Sequence, residues 1–484
     1  MILKKINIQG FKSIEDETFE IVEIDGSKTY ALIGINESGK SSFLKAVSLI
    51  KEGQPLYPQD YFDEQSKLNQ IQISLYYNFN SEDEKELIKT LTEKGLDKQI
   101  VSILKIEEIV ITAKYEPSEN PQKQLIEQVK FNPQTFSDYT FDGTNVIKKD
   151  PTQTQEDLDV EKYFKALLPD YFSKKIHEII FWKSDNKYLI NEAINLDTFS
   201  TDPKNTSVPL FNCFTLAGIN DIQGTITKIK NSPSATRDLQ DKLGDKVTAH
   251  IKKIWPDHPI KIKFQINNMA ISFLVEDKDV KYSSKTTSQR SDGFRQFISF
   301  LLTISAQSAN VQLSNTILLL DEPETHLHPT AQEDLRDELI KITTDKRNNI
   351  TFFATHSNYM IDKNNLGRCF RVVKKGNKRT KLERIDTKIT SYSEVNYEVF
   401  EIATNDYHNE LYGFLWENDK DKLDKLPKKE TWQNEKTSKD EKVSLSTFIR
   451  HSIHHPENTS NRKFTNSQLI ESIRALRKLK YNKA

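Results

Sequence analysis

The stretch ALIGINESGKSS, residues 31–42, joins an apolar strand pattern to a helical pattern through a loop of small residues. Residues 34–41, GINESGKS, fit the motif GxxxxGK[ST], and the strand before and the helix after are the flanks that this motif requires. Glycines let main-chain N–H groups turn inward around an anion, and the N-terminus of the following helix adds partial positive charge. The alternative is a glycine-rich turn that matches by chance, which the two flanks make the weaker interpretation. The stretch therefore predicts a phosphate-binding loop.

The phosphate-binding loop predicts a site for ATP and Mg²⁺. Lys40 would reach the β- and γ-phosphates as a point charge. The hydroxyl group of Ser41 would be a ligand of Mg²⁺, a cation that prefers hard oxygen donors in octahedral geometry. The residues expected to bind the nucleotide are Gly34, Asn36, Glu37, Ser38, Gly39, Lys40, Ser41 and Ser42.

Two adjacent acidic residues follow another apolar strand pattern in TILLLDEPETHLHP, residues 316–329. Asp321 would hold Mg²⁺ through water or through Ser41, and Glu322 would orient or deprotonate the attacking water. Charged pairs at strand ends are often plain surface residues, but their occurrence together with the phosphate loop favours the catalytic interpretation. Downstream, NITFFATHS ends a strand pattern at His356, from where an imidazole can reach a γ-phosphate. The sequence thus predicts Glu322 and His356 as catalytic residues.

The composition is that of a soluble protein without a charge bias. Hydrophobic residues make up 36% of the 484 residues, and 69 Lys and Arg nearly cancel 70 Asp and Glu, so no global field draws the protein to nucleic acid or membrane. Cys213 and Cys369 are too isolated for a disulfide framework or a zinc ribbon. The sequence shows neither a signal-peptide apolar region nor an apolar run that could cross a bilayer. The expected location is the cytoplasm, with no membrane partner.

Strand and helix patterns alternate along the chain, which is typical of an α/β fold. Residues 2–11 and 19–24 alternate apolar and polar side chains and predict an N-terminal hairpin. From residue 314 the order is strand, helix (330–344), strand, and the continuous apolar strands indicate a parallel sheet covered on both faces. The other predicted strands are rich in β-branched or aromatic residues and cover residues 71–79, 108–116, 177–184, 262–266 and 270–275.

These patterns divide the chain into four predicted segments. Residues 1–189 and 258–388 would be the two parts of one α/β domain, and residues 190–257, where the periodicity becomes helical, would be a helical insertion. Residues 389–484 would form a mainly helical C-terminal domain that acts as an effector or docks a partner. Within it, residues 417–442 are so charged that they predict a solvated loop.

The order of the motifs resembles the ABC-type ATPase heads of the SMC, RecF and OLD families. An N-terminal GFKS at residues 10–13, then GxNxxGKS, DEPExxLHP and THS follow one another as in that class, and residues 1–60 and 285–372 carry the resemblance. It implies an α/β P-loop head with a mixed sheet, flanking helices and an antiparallel lobe. It also implies a serine-glycine signature before a helix, which Ser291 and Gly293 in RSDGF fit.

In such heads the signature of one subunit completes the ATP site of another. The resemblance therefore implies a homodimer, or a higher even oligomer, that forms through the ATPase heads. A plain N-capping turn is the alternative for the SDG sequence. No long heptad array is present for an SMC arm, so DNA tethering of the SMC kind is not expected. The chain also resembles ATPases of bacterial phage defence, such as those of Septu or PARIS, which implies a separately encoded nuclease as partner.

The C-terminal residues leave alternatives for the effector. OLD nucleases carry a Toprim domain that needs carboxylates after strands, and Asp419 and Asp421 lie instead in a lysine-rich segment that favours solvated charge. Arg450 and His455 have the RxxxxH spacing that resembles HEPN ribonucleases, in which such a pair would cleave RNA. The alternative is a helical docking module whose histidines cap or pack. A RecF-like repair ATPase is a further alternative, so DNA or tRNA stays open as a partner.

Overall fold

The structure is a computed structural model of the chain, which folds into two units, Met1–Met360 with Arg368–Arg384 and Ile361–Gly367 with Ile385–Ala484. The residues it describes are 1–51, 56–61, 70–116, 121–168, 171–172, 175–183, 187–190, 193–254, 260–277, 284–286, 295, 298–300, 302, 314–344, 347–376, 379–385, 391–435 and 437–481.

The strands of the described residues are β1 (Ile2–Phe11), β2 (Ile14–Glu20), β3 (Thr29–Ile33), β4 (Ile71–Asn78), β5 (Lys105–Tyr115), β6 (Lys123–Asn132), β7 (Thr135–Phe136), β8 (Tyr139–Phe141), β9 (Val146–Lys148), β10 (Leu158–Asp159), β11 (Glu178–Lys183), β12 (Ile194–Asn195), β13 (Ile260–Asn267), β14 (Ala270–Asp277), β15 (Lys285–Thr286), β16 (Thr316–Asp321), β17 (Ile350–Thr355), β18 (Cys369–Lys375), β19 (Arg379–Arg384), β20 (Glu430–Gln433) and β21 (Asp440–Val443).

The helices of the described residues are α1 (Lys40–Ser48), α2 (Ser81–Glu93), α3 (Lys98–Ile103), α4 (Val160–Leu167), α5 (Leu196–Thr201), α6 (Pro203–Thr206), α7 (Val208–Leu216), α8 (Ile222–Lys230), α9 (Pro233–Ile254), α10 (Pro329–Thr344), α11 (Tyr392–Phe400), α12 (Asn405–Asn418), α13 (Lys420–Asp424), α14 (Leu445–His454) and α15 (Asn466–Tyr481).

The central sheet of the first unit has the strand order β11-β16-β17-β3-β18-β19. The first five strands are mutually parallel, and β19 pairs antiparallel to β18. All residues of β3 and β17 are buried, as expected for strands covered on both faces. The predicted parallel sheet is confirmed, and so is the α/β fold class of a P-loop ATPase head.

A second, antiparallel sheet has the order β2-β1-β4-β5-β6, and its first hairpin corrects the sequence prediction. The chain reverses at Lys12, whose φ of 51° is left-handed, and Phe11 pairs with Ile14 across that turn. The second hairpin strand is therefore β2, which begins at residue 14, and the predicted strand at residues 19–24 is wrong for its last four residues. The alternating pattern continued past Glu20, but pairing partners, not the pattern, decide where the strand ends.

An aromatic cluster joins the two sheets below the phosphate loop. The ring of Phe19 on β2 lies 5.0 Å from Tyr30 on β3, 5.0 Å from Phe352 on β17 and 4.5 Å from Phe370 on β18, measured between centroids. Phe43 of α1 lies 5.5 Å from Phe352. All of these rings are buried except that of Phe370, which is half-buried, so the cluster fixes the strand and the helix that flank the loop against each other.

Helices α5 to α9 fall within the segment in which the sequence has helical periodicity. The longest of them, α9, packs against β13 of a separate small sheet, where Thr248 accepts a hydrogen bond from the N–H of Ile262 at 2.9 Å. The predicted strands at 262–266 and 270–275 are confirmed as the cores of β13 and β14.

The second unit is mainly helical and contains one hairpin, β20–β21, in its described part. This hairpin and α13 contradict the predicted solvated loop at residues 417–442. Trp432 on β20 is only 5% exposed and packs edge-on against Phe448 at 5.7 Å, so one large ring anchors an otherwise charged segment. TNSQ at residues 465–468 predicts a capping box at the start of the last helix. The structure confirms it, because Thr465 and Gln468 exchange side-chain-to-backbone hydrogen bonds at 3.0 and 3.3 Å.

Candidate functional site

The loop between β3 and α1 has the backbone of a cradle. Gly34 and Gly39 have φ of 154° and 114°, and Glu37 at the apex has φ of 62°. A Cβ on Gly34 would lie 2.4 Å from the carbonyl oxygen of Val372, so only glycine fits there. Asn36 and Glu37 are exposed at the rim, Ser38 is buried, and Ser42 is half-buried in the first turn of α1.

Lys40 is folded back into this cradle. Its ammonium group donates hydrogen bonds to the carbonyl oxygens of Gly34 at 2.9 Å and Ile35 at 3.1 Å. Burial lowers the pKa of Lys40, and the negative charges of neighbouring carboxylates, first that of Glu322 and then that of Asp321, counteract this effect. A buried cation at the mouth of the loop is suited to bind phosphate oxygens.

Ser41 and Asp321 meet although they are far apart in the sequence. The hydroxyl group of Ser41 in α1 donates a hydrogen bond of 2.8 Å to Asp321 at the end of β16. Burial raises the pKa of Asp321, while the Ser41 hydrogen bond lowers it. A hydroxyl and a carboxylate side by side form the oxygen donor set that suits Mg²⁺, so these two residues fit the predicted cation.

Glu322 and His356 also lie together, at the ends of β16 and β17. Glu322 has a left-handed φ of 51°, and its Oε1 lies 3.4 Å from Nε2 of His356. Burial, together with the positive charge of Lys40, lowers the pKa of His356, which keeps the imidazole neutral at pH 7. Glu322 can therefore accept a proton from water, and the neutral imidazole can donate an N–H to a phosphate oxygen.

Glu324 is a residue of this site that sequence reasoning missed. It is 5% exposed, and it accepts hydrogen bonds from the hydroxyl group of Thr355 and from the backbone N–H of His356, the latter at 3.3 Å. Its Oε2 has no hydrogen-bond partner among the described residues, and burial raises the pKa of the carboxyl group to about 7. The available signal was a third acidic residue in DEPET, but the sequence does not reveal that it points inward.

Four predicted residues remain, which are Ser291, Gly293, Arg450 and His455. Ser291 and Gly293 lie outside the described residues. Arg450 and His455 lie in the second unit and contact different groups there. The guanidinium carbon of Arg450 is 5.7 Å from the ring centroid of Tyr412, whereas Nδ1 of His455 is 3.3 Å from Glu457. The reason is geometric, because residues five apart on a helix point about 140° away from each other, and α14 ends at residue 454.

The sequence of the first unit identifies the family. Residues 1–361, which are about three quarters of the chain, match the family AAA_15, described as an AAA ATPase domain. The chain belongs to this family. As an AAA_15 protein it is an ATPase by class, in agreement with the ATPase head predicted from its motifs.

Two curated relatives share part of the sequence. An uncharacterized protein of Methanocaldococcus jannaschii is 30% identical over 139 residues, which are 28% of this chain and 35% of that protein. The Old nuclease of Escherichia phage P2 is 22% identical over 182 residues, 34% of this chain and 31% of the nuclease. The chain thus spans about a third of the length of each of these relatives.

SMC head domains are among the solved structures to which this chain is similar. The match to an SMC head bound to the C-terminal winged-helix domain of ScpA covers 80% of this chain and 98% of that head, with 13% identity and a TM-score of 0.40. The match to the SMC head domain of Thermotoga maritima covers 80% of this chain and 100% of that domain, with 12% identity and a TM-score of 0.35.

Within the described residues, this AAA_15 protein has no helix whose length and apolar character would let it span a bilayer.

The buried Glu324 predicts a pH-dependent contribution to stability. Its folded pKa of about 7 lies above its ordinary value of 4.5, so its contribution is complete below pH 4.5 and is lost as the pH rises through 7. Relative to Glu324→Gln, the wild type should lose up to about 3 kcal/mol of unfolding free energy between pH 5 and pH 8. Denaturant titrations of both proteins across this range measure the difference. Glu338→Gln, at an exposed position of α10, is the control, and because it keeps Glu324 its unfolding free energy should follow that of the wild type across this range. A parallel pH dependence of wild type and Glu324→Gln would contradict the assignment.

Proposed function

We propose that this chain binds ATP with Mg²⁺ and hydrolyses it between the loop at Lys40 and the acidic pair at Asp321, as a cytoplasmic head that dimerises and controls a nuclease. The observation that carries the ATPase proposal is the 2.8 Å hydrogen bond between Ser41 and Asp321, with Glu322 and His356 directly beside it. The groups proposed to bind phosphate, to bind the cation and to accept the proton thus lie at the ends of three neighbouring strands.

Each side chain has a role that its geometry supports. The Lys40 ammonium would exchange the carbonyl oxygens of Gly34 and Ile35 for oxygens of the β- and γ-phosphates. Glu322 would accept a proton from the attacking water, and His356 would hold the γ-phosphate through its N–H. Mg²⁺, when bound by Ser41 and Asp321, would supply the positive charge that neutralises the phosphate oxygens.

Two substitutions separate binding from hydrolysis. Lys40→Ala should weaken ATP binding by roughly a hundredfold, because it removes the buried cation. Glu322→Gln should leave ATP binding intact and reduce turnover by about a hundredfold or more, because the amide cannot accept the proton. Calorimetric ATP titration and phosphate release measure the two effects. Lys89→Ala and Glu93→Gln, an exposed ion pair on α2, are the matched controls, and equal turnover in Glu322→Gln and wild type would refute the assigned role.

The dimer proposal rests on the resemblance of Ser291 and Gly293 to a signature that acts in trans. Ser291→Arg and Lys40→Ala would then each be inactive alone, because each homodimer lacks one half of both sites. Mixed dimers would retain one intact site, so a mixture should recover about a quarter of wild-type turnover. Phosphate release before and after mixing measures the recovered turnover. Two affinity tags confirm that the subunits have exchanged. No recovery in exchanged dimers means that the signature does not complete the site of the partner copy.

The nuclease proposal is supported by the partial similarity to the Old nuclease and by the resemblance to phage-defence ATPases. A separate nuclease is favoured over the ribonuclease alternative because the guanidinium group of Arg450 lies over the ring of Tyr412, whereas the imidazole of His455 lies beside Glu457. The near-neutral net charge of −1 gives no support to the RecF-like repair alternative.

Purified alone, the chain should therefore cleave neither tRNA nor duplex DNA, and cleavage should appear with a nuclease encoded beside its gene. Lys40→Ala should change that cleavage several-fold, whereas His455→Ala should not. RNA cleavage by the chain alone that disappears in His455→Ala would support the ribonuclease alternative instead. Salt-dependent binding to duplex DNA would support the repair alternative.

A further inference from the structure

Thr380, the second residue of β19, is buried between the phosphate loop and the turn of the first hairpin. It is 1% exposed. Its hydroxyl group donates to the carbonyl oxygen of Ser38 at 3.0 Å, lies 2.8 Å from the hydroxyl oxygen of Ser13 and accepts from the Lys374 ammonium at 3.1 Å. A hydroxyl group has one hydrogen to donate and two lone pairs, so with Ser13 as donor these three contacts use its full capacity.

The first of these contacts sets the direction of a peptide group in the loop. In a planar trans peptide, the C=O of one residue and the N–H of the next point in opposite directions. Thr380 holds the Ser38 carbonyl outward, toward β19, and this turns the N–H of Gly39 away from β19 and into the loop. Inward N–H groups are what a phosphate-binding loop requires.

The side chain of Thr380 also fills the space beside Gly39. A Cβ on Gly39 would lie 2.5 Å from Oγ1 and 2.8 Å from Cγ2 of Thr380. The second glycine of the motif is therefore required by this contact as well as by its φ of 114°. The phosphate loop and β19 are so close at this point that neither can shift without the other.

The same residue ties the loop to the antiparallel sheet. The backbone N–H of Thr380 donates to the carbonyl oxygen of Ser13 at 2.8 Å, in the turn between β1 and β2. Next to it, the Lys381 ammonium and the N–H of Leu382 bind the carboxylate of Glu17 on β2 at 2.9 and 3.0 Å. Strand β19 is thus fastened to β2 on one side and to the phosphate loop on the other.

We propose that Thr380 is a positioning residue for ATP binding, which holds the Ser38–Gly39 peptide so that its N–H faces the phosphates and which links that peptide to the Lys12–Ser13 turn. This inference rests on the proposed ATPase function. It assigns a role to β19, a strand outside the motifs that predicted the site.

Thr380→Val, Thr380→Ser and Ser13→Ala test the proposal in the full-length protein. Valine keeps the shape and removes the hydroxyl group, so the KM for ATP should rise about tenfold while kcat changes less than about threefold. Serine keeps the hydroxyl group and should stay within about twofold of wild type in both constants. Ser13→Ala should raise KM by about threefold alone and cause no further rise in Thr380→Val, because the two hydroxyl groups act as one unit.

The outcomes separate this proposal from the proposed function. If wild type and Thr380→Val have equal KM values, or if Thr380→Ser is as impaired as Thr380→Val, the positioning role is wrong while the ATPase function stands. If the wild type does not bind ATP, the function fails and the positioning role fails with it. Thermal unfolding of each variant shows whether it folds, and if Thr380→Val does not, the KM values of Ser13→Ala and Thr380→Ser decide the question.

Discussion

The hydrogen bond between Ser41 and Asp321 spans 280 positions of sequence and is the contact on which the site depends. It requires β3 and β16 to end at the same edge of one sheet, with β17 between them. Because the three strands are parallel, their carboxyl ends meet at that edge. The phosphate loop, the acidic pair of Asp321 and Glu322, and His356 all follow these strands directly, so the strand order alone assembles the site.

Buried polar contacts fix β3 in addition to the aromatic cluster. Thr343 near the end of α10 lies 2.6 Å from the hydroxyl group of Ser27 and 2.8 Å from that of Thr29 at the start of β3. Thr29 also donates to the carbonyl oxygen of Leu339 at 2.9 Å. The helix that follows the acidic pair is therefore fixed to the strand that precedes the phosphate loop, and every buried hydroxyl in this group has a partner.

Local sequence patterns predicted the parts of the protein that local chemistry determines. The phosphate loop, β16, β17, α10 and the capping box of α15 follow from residues within one or two turns of each other, so their prediction succeeded. The end of β2 depends on pairing with β1, and the hairpin around Trp432 depends on a ring that packs against Phe448 of the helix that follows it. The order of apolar and polar residues in the sequence shows neither the pairing nor the packing.

The same limit applies within the site. Asp321 and Glu322 could be predicted because their motif directly follows an apolar strand pattern. The burial of Glu324 and the contact of Thr380 with Ser38 arise instead from the packing of separate strands. The Arg450 and His455 pair stays a prediction from spacing alone, and in the structure the two side chains contact different groups. Spacing predicts chemistry well only where the backbone conformation is known.

The central position of β3 has a consequence for how this protein is made. Both of its neighbours in the sheet, β17 and β18, begin at or beyond residue 350, whereas β3 itself ends at residue 33. A ribosome therefore releases this strand, whose residues are all buried in the folded protein, some three hundred residues before its partners exist. Throughout that interval the nascent chain carries an unpaired hydrophobic segment, which needs shelter from a chaperone or from the early antiparallel sheet. The site at the ends of β3, β16 and β17 can form only after residue 355 has been synthesised.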